Sequence, residues 1–172
     1  YGLRSLPSPL PTSAARLMET VDLDADGLDD LIMTAASGDL VVTPSLGSAG
    51  FGAPILVGDA ETSVRVRPTD LDGDGDLDLI AVRASGIELS WYQNLGAQSF
   101  GPPQLLMTAT SPISTVRPVD LDGDTLQDLA ITQTGVGGPG GVSWLRRTGP
   151  GTFALPLPVS PTTNEASGLS AN

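Results

Sequence analysis

Three short segments of this 172-residue chain alternate aspartate with other residues in the same pattern. They read Asp22-Leu-Asp-Ala-Asp-Gly-Leu-Asp-Asp-Leu31, Asp70-Leu-Asp-Gly-Asp-Gly-Asp-Leu-Asp-Leu79 and Asp120-Leu-Asp-Gly-Asp-Thr-Leu-Gln-Asp-Leu129. A hard divalent cation such as calcium takes six to eight oxygen ligands, and a loop that offers side chains at alternate positions can wrap one. Counting from the first aspartate, positions 1, 3, 5 and 9 supply carboxylates, and position 7 turns a backbone carbonyl inward. The first loop then offers Asp22, Asp24, Asp26 and Asp30 with the Leu28 carbonyl. The second offers Asp70, Asp72, Asp74 and Asp78 with the Asp76 carbonyl. The third offers Asp120, Asp122, Asp124 and Asp128 with the Leu126 carbonyl. Up to three Ca²⁺ are expected.

Position 6 must turn sharply. Gly27 and Gly75 reach positive φ without strain. Thr125 holds that place in the third loop, where a β-branched residue at positive φ is costly, so this site is expected to be weaker or differently shaped. The EF-hand loop also opens with alternating aspartates, but it needs a glutamate at position 12. Here position 12 is Met33, Ala81 or Ile131. Magnesium fits less well, because it keeps its waters and a strict octahedron.

The charge distribution supports cation sites over a generally acidic surface. Of 20 acidic residues, 14 lie within 22–30, 70–78 and 120–128. The other six (Glu19, Asp39, Asp59, Glu61, Glu88 and Glu165) face eight arginines. Six positive charges from three calcium ions would bring the net charge of −12 to −6. With no basic stripe, nucleic-acid binding is disfavoured. With no cysteine and no histidine, disulfide, thiol and zinc chemistry are excluded. No apolar run reaches the roughly 18 residues of a membrane span. No lysine is present and no serine sits in a nucleophile motif, so a binding module is expected and not an enzyme.

The elements that position the loops must repeat with them. The first aspartates stand 48 and 50 residues apart, and Phe51-Gly-Ala-Pro54, Phe100-Gly-Pro-Pro103 and Phe153-Ala-Leu-Pro156 keep the same phase. Ser90-Trp91 matches Ser143-Trp144, with Val42-Thr43 in the first repeat. Each unit contains four strand-like runs; in the second these are 51–57, Ser63–Arg67, Leu77–Val82 and Ile87–Gln93. Val64 and Val66 alternate with Arg65 and Arg67, which is the period of a strand. Many glycines and prolines punctuate these runs, and no 3.6-residue pattern is evident. One domain, 1–172, is expected, with units at about 1–50, 51–99 and 100–152 and a partial fourth unit at 153–172. The chain begins without methionine and is taken to be a processed or excised piece of a longer product.

The aspartate loops and the Phe-Gly-x-Pro segments together resemble the FG-GAP/VCBS repeat family, the integrin-α-type calcium-binding β-propellers. The resemblance covers nearly the whole chain. It implies an all-β, propeller-type array of three four-stranded blades, a partial propeller, with a calcium loop between the first two strands of each blade. It groups 63–69, 78–84, 87–93 and 100–107 into one blade. Three blades do not close a ring. Self-association through open blade edges is therefore expected, as a completed ring or a filament. The expected function is an extracellular or cell-surface calcium-binding structural or adhesive module. The alternative is a calcium-dependent, lectin-like propeller in which Trp91, Tyr92 and Trp144 stack on sugar rings; packing between blades is the plainer role for these aromatics. Either a glycan or a protein could be the ligand. Arg67 and Arg117, three residues before a loop, are expected to support it electrostatically; the first unit has Glu19 in that place. Arg146-Arg147 reads as a solvated basic pair, and the glycine-rich stretch 135–141 as a flexible insertion.

Overall fold

The structure, a computed structural model, describes residues 16–35, 37–58, 65–97, 99–135 and 140–159. Fourteen strands form, and among the described residues the sole helical element is a 3₁₀ turn at Gly47–Ala49. The first sheet is a meander of β1 (Arg16–Val21), β2 (Asp30–Thr34), β3 (Leu40–Thr43) and β4 (Ile55–Gly58). The second repeats it with β5 (Arg65–Thr69), β6 (Asp78–Val82), β7 (Glu88–Tyr92) and β8 (Gln104–Thr108). The third has β9 (Ile113–Val119), β10 (Asp128–Gln133), β11 (Gly141–Leu145) and β14 (Leu157–Val159). A small hairpin of β12 (Arg147–Gly149) and β13 (Thr152–Phe153) is inserted before its last strand. All pairings are antiparallel, and the three sheets are propeller-type blades.

The sequence explains the order of strands within a blade. The second strand is paired on both sides and carries the apolar run; β6 is buried at every position. Proline lacks a donor N–H and is confined to edge strands. Pro68 and Pro118 sit in β5 and β9, the first strands of their blades, and Pro158 sits in β14, the last. The Phe-Gly segments close the corner between strands three and four. Phe51, Phe100 and Phe153 pair with Ser45, Asn94 and Arg147 respectively.

Apolar residues on the two faces of a blade serve two different interfaces. Leu23, Ile32, Leu40, Val42 and Val57 of the first blade pack on Val66, Leu79, Ala81 and Tyr92 of the second. The other face of the second blade, with Leu71, Ile80, Val82, Leu89 and Trp91, packs on Val116, Leu129, Ile131 and Leu145 of the third. The first strands also meet one another. Arg67 Nη1 donates to Glu19 Oε2 at 2.8 Å, and Arg65 Nη1 to the Ile113 carbonyl at 3.0 Å.

Several expectations are corrected in detail. Arg67 does not serve its own loop, because its guanidinium is taken by Glu19 on the neighbouring blade. Arg146 and Arg147 are not a solvated pair: Arg147 is buried and Arg146 lies on the third loop. Observed strands are shifted from the predicted runs by up to four residues. Thus β4 starts at Ile55 and β8 at Gln104, because Pro54 and Pro103 exclude the preceding residues from the ladder. Ser63 and Val64, the first fifteen residues and most of the glycine-rich stretch fall outside the described residues.

Candidate metal centres

Each aspartate loop joins the first two strands of a blade. In each, the carboxylates of positions 1, 3 and 9 converge. Asp22, Asp24 and Asp30 bring ligand oxygens within 4.8 Å of one another, as do Asp70, Asp72 and Asp78, and Asp120, Asp122 and Asp128. These are all hard oxygen donors, three to a loop, which suits calcium and not a soft metal. Position 5 does not join these groups. Asp26, Asp74 and Asp124 fold back to accept the backbone N–H two residues on, at 2.8, 2.9 and 2.9 Å. Leu28, Asp76 and Leu126, the carbonyl positions, are the donors of those bonds.

The loop is shaped by its own first carboxylate. Asp22, Asp70 and Asp120 each accept from the N–H of position 6, at 2.9, 3.1 and 3.0 Å. In the second and third loops the same carboxylate also takes the N–H of position 4, at 2.6 and 2.7 Å. Wrapping the chain this way requires positive φ at both positions. At position 6 the values are 87° for Gly27, 97° for Gly75 and 73° for Thr125. At position 4 they are 59° for Ala25, 89° for Gly73 and 79° for Gly123. The demand at position 4 was not foreseen; glycine there in two loops of three was its signal. The second loop alone has glycine at both places, so the first is strained at Ala25 and the third at Thr125.

Position 9 does more than offer a ligand. Asp30, Asp78 and Asp128 are buried, and both oxygens of each accept backbone N–H bonds. One oxygen binds the N–H of position 2: Leu23 at 3.1 Å, Leu71 at 3.0 Å and Leu121 at 3.2 Å. The other binds the residue that follows the third strand: Ser45 at 2.8 Å, Asn94 at 2.7 Å and Arg147 at 2.8 Å. This aspartate thus staples the loop to the far corner of its blade. Each carboxylate oxygen keeps a second lone pair for a cation. Burial pushes the Asp78 carboxyl up to about 6, against the pull of the Asn94 and Leu71 N–H bonds, with nearby Asp72 adding to the rise. Asp30 is raised for the same first reason.

The corner residue before the staple partner also touches the loops. Gln93 Nε2 donates to Asp72 Oδ2 at 2.7 Å. Arg146 Nε pairs with Asp122 Oδ2 at 2.5 Å, and its Nη2 lies 3.8 Å from Asp124 Oδ2. Sequence reasoning missed these contacts, although the phase of the repeat puts 93 and 146 in register. Tyr92 and Trp91 are core, whereas Trp144 is half-buried and lies outside both clusters. No helix among the described residues is long and apolar enough to cross a membrane.

Comparison with known proteins agrees with this architecture. A search of the curated proteins finds no match. Among solved structures, the chain is similar to an Agrocybe aegerita lectin described as specifically recognising non-reducing terminal N-acetylglucosamine. The TM-score is 0.58 at 22% identity, over 81% of this chain and 37% of that one. Likeness at that identity speaks for the fold alone, and this chain spans well under half of the lectin chain. The FG-GAP-like repeat matches residues 22–81 and again 70–131, so each match runs from one aspartate loop through the next. With two overlapping repeats covering more than half its length, the chain belongs to the FG-GAP-like repeat family.

Proposed function

We propose that the chain is a calcium-stabilised structural or adhesive module that works outside the cell and associates with copies of itself. One observation carries the calcium reading: in each of three loops, three carboxylates bring ligand oxygens within 4.8 Å of one another. Asp22, Asp24 and Asp30, with their counterparts in the other loops, would hold the ion. Asp26, Asp74 and Asp124 stand beside them, and the carbonyls of Leu28, Asp76 and Leu126 complete the proposed set. The ion would supply the positive charge that lets the loop close on its first aspartate. The family's usual extracellular setting and the millimolar calcium there suit sites of roughly 0.1–1 mM affinity. At ten times the dissociation constant each site would add about 1.4 kcal/mol, and three about 4 kcal/mol, a large share of a domain's stability.

Thermal unfolding in excess calcium and in EGTA tests this, with mass followed by light scattering in the same samples. A rise in melting temperature with calcium is expected. Identical curves would sink the calcium reading. The likeness to a lectin favours glycan binding as a second reading. Burial of Trp91 and Tyr92 means that such a site would have to use other residues. A glycan array probed in calcium would reveal it.

A further inference from the structure

The corner between the third and fourth strands gives each loop a different neighbour. Three residues are equivalent there by their backbone bonds: the carbonyls of Pro44, Gln93 and Arg146 accept from the N–H groups of Gly52, Gly101 and Ala154, each at 2.8 Å. The residue after each is the staple partner of the position-9 aspartate. The side chain at this corner faces position 3 of the loop. Pro44 has no donor to offer the first loop. Gln93 gives the second loop a neutral amide, on Asp72. Arg146 gives the third loop a guanidinium that pairs with Asp122, a member of the converging group, and reaches Asp124. Arg147 is no substitute for it: its Nη2 lies against Gly73 of the second loop, where a Cβ would meet it at 3.1 Å, and its Nε bonds the Gly149 carbonyl and not a ligand oxygen.

We infer that Arg146 is a resident counter-ion of the third loop, so that calcium enters this loop after the second and only against the arginine's charge. The inference rests on the calcium reading of the loops and adds a difference between them. A unit positive charge a few ångströms from a divalent ion weakens binding by about tenfold even in water. Arg146 also pairs with one of the carboxylates that the ion would use. In return, the third loop is partly neutralised without calcium. The third site would then respond at higher calcium than the second.

Native mass spectrometry across a calcium titration counts the bound ions on the wild type and on Arg146→Gln, which copies the second blade's corner. The wild type should hold one ion about tenfold more weakly than another, and Arg146→Gln should tighten that weak site. Gln93→Arg should conversely weaken a second site. In EGTA, Arg146→Gln should melt below the wild type, and added calcium should close that gap. An arginine that merely packs would lower the melting temperature equally with and without calcium and leave the third dissociation constant unchanged; that result overturns the inference while the calcium reading stands. So would three equal sites in the wild type. If neither protein binds any calcium, the calcium reading falls and this inference falls with it.

Discussion

At the scale of single residues, the aspartates divide into two kinds that the sequence writes identically. Positions 1 and 3 face the proposed ion, while position 9 is a buried staple whose oxygens hold two backbone N–H groups. Replacing Asp78 with alanine leaves the Leu71 and Asn94 N–H groups buried and unpaired, each costing about 1–3 kcal/mol. Asp78→Ala should therefore destabilise by roughly 3–5 kcal/mol even in EGTA. Asp72→Asn should change little in EGTA and remove much of the calcium effect. Urea unfolding with and without calcium separates the two; equal losses for both variants would refute the division. The pH dependence follows from the same burial. The folded Asp78 carboxyl titrates near 6, above its ordinary 3.8. The fold thus binds this proton more tightly than the unfolded chain does. Stability from it is fully present below about 4 and is lost as pH rises through 6. Calcium-stripped protein should melt higher at pH 5.5 than at pH 7.5, by about 1 kcal/mol in stability. A flat profile would contradict it. The gathering of carboxylates in each loop was legible from their repeated spacing, although position 5 stays out of the cluster. The staple was not, since its partners lie 15 to 19 residues away in sequence. Neither was Arg146, whose role depends on which corner faces which loop.

At the scale of the element, loop and strand pull in opposite directions. Strands want β-branched and apolar residues, and the loops want glycine at positions 4 and 6. Thr125, at φ 73°, is where the strand preference intrudes on the loop. Thr125→Gly should stabilise by about 1 kcal/mol, since a left-handed backbone costs a non-glycine residue about that much. A chemical-denaturation midpoint that moves down would show that the hydroxyl or methyl does something the geometry does not reveal. Four strands per unit were legible from period and phase, and the place of each loop between strands one and two followed from the family resemblance. Strand boundaries were less so: the Phe-Gly segment looks extended in sequence but turns a corner, and only the prolines mark where pairing resumes. The repeated tryptophan was legible as a landmark. Its face was not, because packing between blades and stacking on a sugar call for the same residue type. The answer came from glycine on the next blade. A Cβ on Gly151 would meet the Trp91 ring at 2.2 Å, so the indole is seated against bare backbone.

At the scale of the whole molecule, the blades are alike in plan and unlike in cover. The leucine at position 2 of a loop is driven into the interface with the following blade. Leu23 is 6% exposed and Leu71 is 0% exposed, each inside a cluster shared with the next blade. Leu121 is the same residue at the same place on the third blade, and it is 48% exposed. Val142 is 38% exposed where its counterpart Leu89 is fully covered, and Trp144 is half-buried where Trp91 is buried. Ala130 and Thr132 replace Ile80 and Val82, so this face is a smaller and more polar version of the one that the second blade buries. Such a face fits a contact weaker than the internal ones but of the same geometry, which is the basis for expecting self-association. In calcium, the chain should scatter as more than one copy, and Leu121→Glu should return it to one. Leu56→Glu is the control: that leucine is 61% exposed on β4, an outer strand, and takes no part in either cluster between blades. If Leu56→Glu dissociates the assembly as well as Leu121→Glu, the contact runs through outer strands and not through blade faces. If the wild type is already a single copy, the third face is finished as it stands, and the lost bulk at Ala130 and Thr132 is what lets it face water.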